Sequence, residues 1–273
     1  MQQKKRAAML ALAIMLGACT LGGCAALPNG KADPRDRFER FNRSIYKFNT
    51  ALDHAVFRPV ARTYRNVTPA PVRRSVGNFT SNLEYPQTII NNFLQAKFRD
   101  SAADTLRLLV NTTVGIGGLF DPATRMGLER HDEDFGQTLG KWGMPSGPYL
   151  MLPFLGPSTV RDTFALLPDE YTTGRAYIND PYVRWSLYAI GKVDERALLL
   201  DTDHVIDQAY DPYAFVRNAW LQQREYKVRD GDVPPENELL DDSGADTTPP
   251  PGGAPTPGSS PTPGSSPAPA TKH

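Results

Sequence analysis

Asp33-Pro34-Arg35-Asp36-Arg37-Phe38-Glu39-Arg40-Phe41-Asn42-Arg43-Ser44-Ile45-Tyr46-Lys47-Phe48-Asn49-Thr50-Ala51-Leu52 opens the body of the chain and sets its fold class. Asp before Pro is a helix start: the carboxylate caps free N–H groups, and Pro at the first helical position has no N–H to lose. Phe38, Phe41, Ile45, Phe48 and Leu52 then recur every three or four residues, the period of one helix face. The same device returns at Asp180-Pro181 and Asp211-Pro212, ahead of helical patterns at 182–190 and 213–228. Pro69 and Pro71 introduce a helix over 72–82, and Pro86 opens another over 87–98. Residues 100–114 place Ala103, Leu106, Leu109 and Val110 on one face, and 195–209 carries a further helical pattern. Alternating apolar and polar runs bounded by turns hardly occur, so the body reads as all-α.

Two segments resist the helical reading. Residues 115–120 are Gly-Ile-Gly-Gly-Leu-Phe, and residues 147–157 form an apolar run framed and broken by Gly and Pro. Loops of soluble domains are normally polar because their backbone groups need water. Loops this apolar point either to contact with something apolar outside the protein or to deep burial within it.

The N-terminus has Lys4, Lys5 and Arg6, then a short apolar stretch, then Leu21-Gly22-Gly23-Cys24. This is a secretory leader too short to span a bilayer. A Leu, two small residues and Cys resemble the bacterial lipobox, where the thiol is acylated and the chain is cut just before it. Cys24 is the preferred anchor over Cys19 in Leu16-Gly17-Ala18-Cys19, since cutting at Cys24 leaves no spare thiol in an oxidising compartment. Ala25 stands where Asp would favour the inner membrane, which points to the outer membrane. The organisation expected is a leader over 1–23, a lipidated linker over 24–32, a helical domain over 33–231, and a disordered Pro/Gly/Ser-rich tail over 232–273.

Composition narrows the functions. Among 273 residues, 30 basic side chains balance 30 acidic ones, which leaves no electrostatic footprint for nucleic acid. The two cysteines lie in or beside the leader, so no disulfide framework holds the body. No stretch after Cys24 approaches the roughly 20 apolar residues of a spanning helix. Gly143-Met144-Pro145-Ser146-Gly147 is not a nucleophile elbow, and no phosphate loop or H-E-x-x-H occurs. His131 with Asp132 and Asp134 is the one concentrated ionisable cluster; it reads as a helix start with Glu133 and Asp134 at the positive end of the dipole. Glu84, Glu170 and Glu195 are scattered carboxylates. No catalytic residue, metal or cofactor is assigned.

Several blocks are specific: Phe41-Asn42-Arg43 with Tyr46 and Phe48-Asn49; Asn78-Phe79 with Asn82-Leu83; Gly115 with Gly117-Gly118; residues 134–140, Asp-Phe-Gly-Gln-Thr-Leu-Gly; Gly147-Pro148-Tyr149 with Leu152-Pro153; and Asp211-Pro212-Tyr213. With these the body resembles the VacJ/MlaA family of outer-membrane lipoproteins. The resemblance implies a ring- or disc-like helical protein lying in the periplasmic leaflet of the outer membrane. It implies an amphipathic channel that takes mislocalised phospholipid from the outer leaflet to a soluble periplasmic carrier, in association with a trimeric porin, maintaining lipid asymmetry. No cofactor and no bond-breaking step belong to it.

On that footing Asn42, Arg43 and Asn49, mixed with aromatics, are candidates for the channel, and Gly115, Gly117 and Gly118 for a gating segment. Tyr149, Leu150, Met151, Leu152, Pro153, Phe154 and Leu155 are candidates for a membrane-contact loop. The other assignment for the same asparagines and glycines is fold maintenance, as inter-helix hydrogen-bonders and turns. Two other functions compete: an envelope hydrolase acting on lipid or cell wall, and a porin-associated scaffold.

Overall fold

A computed structural model describes residues 33–232. Cys19, Cys24, the leader and the tail from 233 onward lie outside the described residues. Helix α1 (Glu39–Leu52) continues through a π-turn (Asp53–Phe57) into α2 (Arg58–Val67). Then come α3 (Ala70–Leu94), α4 (Phe98–Thr113), α5 (Pro122–Arg125) and α6 (Phe135–Lys141). An antiparallel hairpin, β1 (Tyr149–Leu152) and β2 (Gly156–Thr159), pairs Tyr149 with Thr159 and Leu152 with Gly156. Helix α7 (Val160–Thr172), a 3-10 turn (Gly174–Tyr177), α8 (Pro181–Leu198), a second 3-10 turn (Leu199–Thr202), α9 (Asp203–Asp207) and α10 (Pro212–Val228) complete the order.

The helical class holds, with four local corrections. The helices expected over 72–82 and 87–98 are one, since α3 carries Pro86 in its interior. Packing against α4 and α8 outweighs the hydrogen bond that proline removes. The patterns at 182–190 and 195–209 are likewise joined differently: α8 runs unbroken to Leu198, and a 3-10 turn separates it from the short α9. Asp33-Pro34 forms a separate turn, with Asp36 N–H donating to the Asp33 carbonyl at 2.9 Å, and α1 begins at Glu39. Residues 149–159, expected as an apolar loop, form the hairpin.

Several helices turn their polar sides inward. Helix α4 has the apolar stripe its sequence shows, but the stripe points out. Ser101, Asp104, Arg107 and Asn111 are its buried residues; Arg107 is 1 % exposed while Leu109 is 57 % exposed. Helix α3 buries Asn82, Tyr85, Thr88, Asn91 and Asn92. In α7, Arg161, Asp162 and Ala165 face in, whereas Phe164, Leu167 and Tyr171 face out. Among the described residues, buried polar and charged side chains outnumber buried apolar ones by more than two to one. Small apolar clusters remain, Ala61, Ala197 and Leu200 in one, Tyr149, Met151 and Tyr213 in the other.

Such an interior requires its polar groups to find partners. Arg107 donates from Nε to the Tyr85 hydroxyl at 2.8 Å, from Nη2 to both Asp121 oxygens at 3.1 and 3.0 Å, and from Nη1 to the Leu128 carbonyl. Arg224 on α10 spans two carboxylates: Asp134, which caps α6, at 2.5 and 2.7 Å, and Asp162 on α7 at 3.0 and 2.9 Å. Burial would raise the Asp134 pKa, and the bonds from Arg224 hold it below the ordinary value instead. A third carboxylate, Asp169, accepts the Phe135 N–H at 2.8 Å and forms no ion pair among the described residues. Burial, then repulsion from Asp134, pushes its pKa to about 7.

Gly136 lies where α6 crosses this network; a Cβ there would overlap both Arg224 Nη2 and Asp162 Oδ1. Gly136→Ala is expected to break the pairing and cost about 3 kcal/mol in chemical denaturation of the detergent-solubilised protein. Asp169 gives a pH signature. Its folded pKa of about 7 exceeds the ordinary value of 3.8, so the folded state keeps a proton that the unfolded state has lost. Stability therefore falls as pH rises from about 4 to 7 and levels off above that. Thermal melts at pH 5 and pH 8 should show a smaller drop for Asp169→Asn than for the wild type.

Candidate functional site

Charges from several elements converge on Glu84 of α3. The approach is close because two glycines permit it: a Cβ on Gly174 would stand 3.2 Å from the Leu83 carbonyl oxygen, and one on Gly191 would stand 3.2 Å from Thr80 Cγ2. The 3-10 turn and α8 therefore lie against α3 beside Glu84, and the next residues, Arg175 and Lys192, bring cations to it. Glu84 is exposed to water, yet the protein atoms around it desolvate the carboxyl enough to raise its pKa. Glu84 thus stands at the surface within a cluster of charged side chains. Lys192 and Arg175 act on it favourably, Glu195 and Asp132 unfavourably.

The cluster is largely paired within itself. Lys192 Nζ lies 2.7 Å from Glu195 Oε2, and Arg175 Nη2 lies 2.6 Å from Glu170 Oε2. Both cations also lie over the Tyr188 ring, Arg175 at 4.8 Å and Lys192 at 5.8 Å from its centroid. Burial would lower the Lys192 pKa, and Glu195 outweighs it, holding the ammonium charged. Glu84 itself makes no hydrogen bond or ion pair among the described residues. Arg130, in the segment before α6, donates to Ser81 Oγ at 2.9 Å, one helical turn before Glu84, and has no carboxylate partner among the described residues.

The second element is a clamped hairpin. Asn42 Nδ2 donates to the Tyr149 carbonyl at 3.0 Å while its Oδ1 accepts the Met151 N–H at 2.9 Å. Asn49 repeats this pattern, donating to the Leu152 carbonyl at 2.9 Å and accepting the Phe154 N–H at 3.0 Å. The spacing explains the fit. Seven helical residues advance about 10.5 Å, and three extended residues advance about 10 Å. Phe154 takes φ +65°, strained for a bulky side chain, and is pinned by that Asn49 bond and by the edge of Phe48 at 5.4 Å. Arg43, between the asparagines, ties α1 to α10 through Asp211 at 3.0 and 2.5 Å and covers the Tyr213 ring.

The candidates named from the sequence fall in different places. Asn42 and Asn49 meet the 149–155 segment directly, and Arg43 meets α10; all three have their polar groups bonded within the fold. In the hairpin, Tyr149 and Met151 are buried, Leu150, Leu152 and Pro153 are half-buried, and only Phe154 and Leu155 at the tip are exposed. Gly115, Gly117 and Gly118 belong to a compact turn closing α4, with N–H bonds from Gly117 to the Thr112 carbonyl at 2.8 Å and from Gly118 to the Asn111 carbonyl at 2.8 Å. Gly118 abuts Asn82, and Val114, Ile116 and Phe120 of the same turn are exposed.

Glu84, Glu170 and Glu195, scattered in the sequence, are brought by the fold into one charged cluster with Arg175, Tyr188 and Lys192. The unbroken length of α8 is the signal that would have found them, because Tyr188, Lys192 and Glu195 share a face only on a continuous helix. His131 Nδ1 lies 3.0 Å from the buried Asp104 Oδ2. No group of three metal-ligating side chains occurs among the described residues.

Comparison with known proteins agrees with this architecture. The chain is 36 % identical over 209 residues to an uncharacterized protein of Rickettsia prowazekii, covering 74 % of this chain and 81 % of that one. It is 36 % identical over 230 residues to the intermembrane phospholipid transport system lipoprotein MlaA of Escherichia coli, covering 82 % and 90 %. A solved structure reported as the structural basis for maintenance of bacterial outer membrane lipid asymmetry matches with a TM-score of 0.65 and 35 % identity, covering 71 % of this chain and 98 % of the other. The MlaA lipoprotein family model matches residues 34–227, nearly the whole described body, and the chain belongs to that family.

Proposed function

We propose that this chain is an outer-membrane lipoprotein that removes mislocalised phospholipid from the outer leaflet and hands it to a soluble periplasmic carrier, so maintaining lipid asymmetry. The observation that carries this reading is the reversed polarity of the body: apolar side chains on the outside and hydrogen-bonded charge on the inside. Among the described residues no helix is long and apolar enough to cross a membrane. A body of this kind gains free energy lying sideways in one leaflet, where Leu109, Phe164 and Leu167 meet acyl chains. Acylation at Cys24 would hold it to the periplasmic leaflet, and a trimeric porin would give it access to the outer one.

No catalytic step forms part of this function. The passage needs polar groups for the headgroup beside apolar groups for the tails, and the exposed charges around Glu84 would supply the first. Phe154 and Leu155 at the hairpin tip, with Ile116 and Phe120 of the Gly115–Gly118 turn, supply lipid contact. Asn42, Arg43 and Asn49 serve the passage from behind, by holding the hairpin. The closely bonded glycine turn and the hairpin clamped by Asn42 and Asn49 both support fixed, membrane-facing contacts.

Two measurements test this. Deleting the gene, or replacing Cys24 by Ala, should increase phospholipid in the outer leaflet, read by surface labelling of intact cells; an unchanged surface content sinks the proposal. Asn49→Ala removes two bonds from the hairpin, worth about 2 kcal/mol together. Backbone exchange over residues 149–159 should then quicken by about 30-fold, with α3 and α4 unaffected.

A further inference from the structure

The exposed aromatic side chains divide by type along the chain. From Phe38 to Phe164 they are phenylalanines, Trp142 apart, whereas from Tyr171 to Tyr210 they are tyrosine and tryptophan only. Four of the latter stand on adjoining elements. Tyr171 is in the last turn of α7, Tyr177 in the first 3-10 turn, and Tyr182 and Trp185 in the first turns of α8. That 3-10 turn packs against both helices, so the four rings belong to one patch. Tyr171 is 72 %, Tyr177 77 % and Tyr182 84 % exposed, so little of any of these rings touches protein. Pro181, Tyr182, Trp185, Ser186 and Ala189 line an open groove of about 500 Å³ along α8, which leaves the two rings accessible.

Helix α7 gives the patch a direction. Its outward stripe reads Phe164, Leu167, Tyr171: two hydrocarbon side chains, then one with a hydroxyl. The seven residues advance about 10 Å, against about 15 Å for the hydrocarbon half of a bilayer. Paired charges adjoin the patch. Arg175 bonds Glu170 at 2.6 Å and lies 4.8 Å from the Tyr188 ring, which Trp185 meets edge to face at 5.9 Å. Alkyl and phenyl, then phenol and indole, then charge is the order of a leaflet from acyl chain to headgroup.

The polar tips of the patch are unspent. Among the described residues the hydroxyls of Tyr171, Tyr177 and Tyr182 and the indole N–H of Trp185 make no hydrogen bond, and half-buried Arg184 forms no ion pair. Deep in acyl chains these groups would be stranded, and in bulk water the four rings would form an exposed apolar patch. The boundary zone suits both, with phenol and indole at headgroup level and a guanidinium reaching phosphate on its flexible stem. We infer that Tyr171, Tyr177, Tyr182 and Trp185 sit at the headgroup level of the leaflet, with Arg184 on lipid phosphate, and thereby set how deep the body lies. The inference rests on the proposed sideways position in one leaflet and adds its depth and the surface that fixes it.

The test places a nitrobenzoxadiazole label on Ser186→Cys or Leu167→Cys of the purified full-length lipoprotein. Each is reconstituted into dioleoylphosphatidylethanolamine–dioleoylphosphatidylglycerol vesicles carrying a nitroxide either at the headgroup or at mid-chain. At 186 the headgroup nitroxide should quench about twice as strongly as the mid-chain one, and at 167 the order should reverse. Tyr182→Leu with Trp185→Leu, on an exposed face where the fold does not depend on them, should bring the ratio at 186 to about one. Three results overturn the inference while leaving the leaflet position standing: stronger mid-chain quenching at 186, no quenching there while 167 responds, or a ratio unmoved by the double replacement. Quenching at neither position overturns the leaflet position and the inference together. Shielding of 186 from aqueous iodide only when a purified porin trimer is added assigns the patch to a protein partner and also overturns it.

Discussion

The structure depends on keeping ionised groups satisfied in a body that turns its apolar side chains outward. Arg107 illustrates the constraint: almost no part of it reaches solvent, and each of its three nitrogens meets an acceptor, one of them the charged carboxylate of Asp121. An interior of this type gains little from the hydrophobic effect, which in water drives most folding. Its stability comes from directional bonds whose loss is costly because the partner left behind stays buried. A hydrocarbon surround would relieve the outside of the molecule, since Leu109 or Phe164 would lose nothing by facing acyl chains. Water relieves exposed charges such as Glu84 and Lys192. Neither medium alone suits the whole surface.

Charge pairing also determines which elements belong together. Arg224 joins α10 to the start of α6 and to α7, Arg43 joins α1 to the start of α10, and Arg196 of α8 reaches both Asp53 and Asp203. Asp134 and Asp211 double as helix caps, so a bridge across the molecule and the start of a helix form together. Removing one arginine therefore unsettles a packing contact and a helix end at once. Asp169 beside this network forms no ion pair among the described residues, and burial, then repulsion from Asp134, raises its pKa.

Much of this is legible in the sequence, but not all of it in the right orientation. Periodicity locates α1, α4 and α10 because a stripe of Phe, Leu and Val at helical spacing marks a helix whatever surrounds it. It cannot say which medium the stripe faces, and in α4 Leu106 and Leu109 face outward where a water-soluble protein would bury them. Pro86 is a fair signal for a break, overruled here by packing on both sides of α3. The apolar run at 149–155 reads as non-helical, but its pairing with 156–159 depends on Asn42 and Asn49, more than a hundred residues away. The charged cluster around Glu84 has no sequence signature at all, because its members come from separate segments that no motif links.

The two asparagines have one more effect. A two-stranded hairpin has two open margins, and unpaired backbone groups on an exposed margin can recruit strands from other polypeptides. Here the margin of β1 away from β2 is already occupied: the Tyr149 N–H bonds the Arg35 carbonyl, and side-chain amides from α1 take the Tyr149 carbonyl, the Met151 N–H and the Leu152 carbonyl. A helix thus stands in for a third strand. On that side the ribbon is shielded from sticking to other chains.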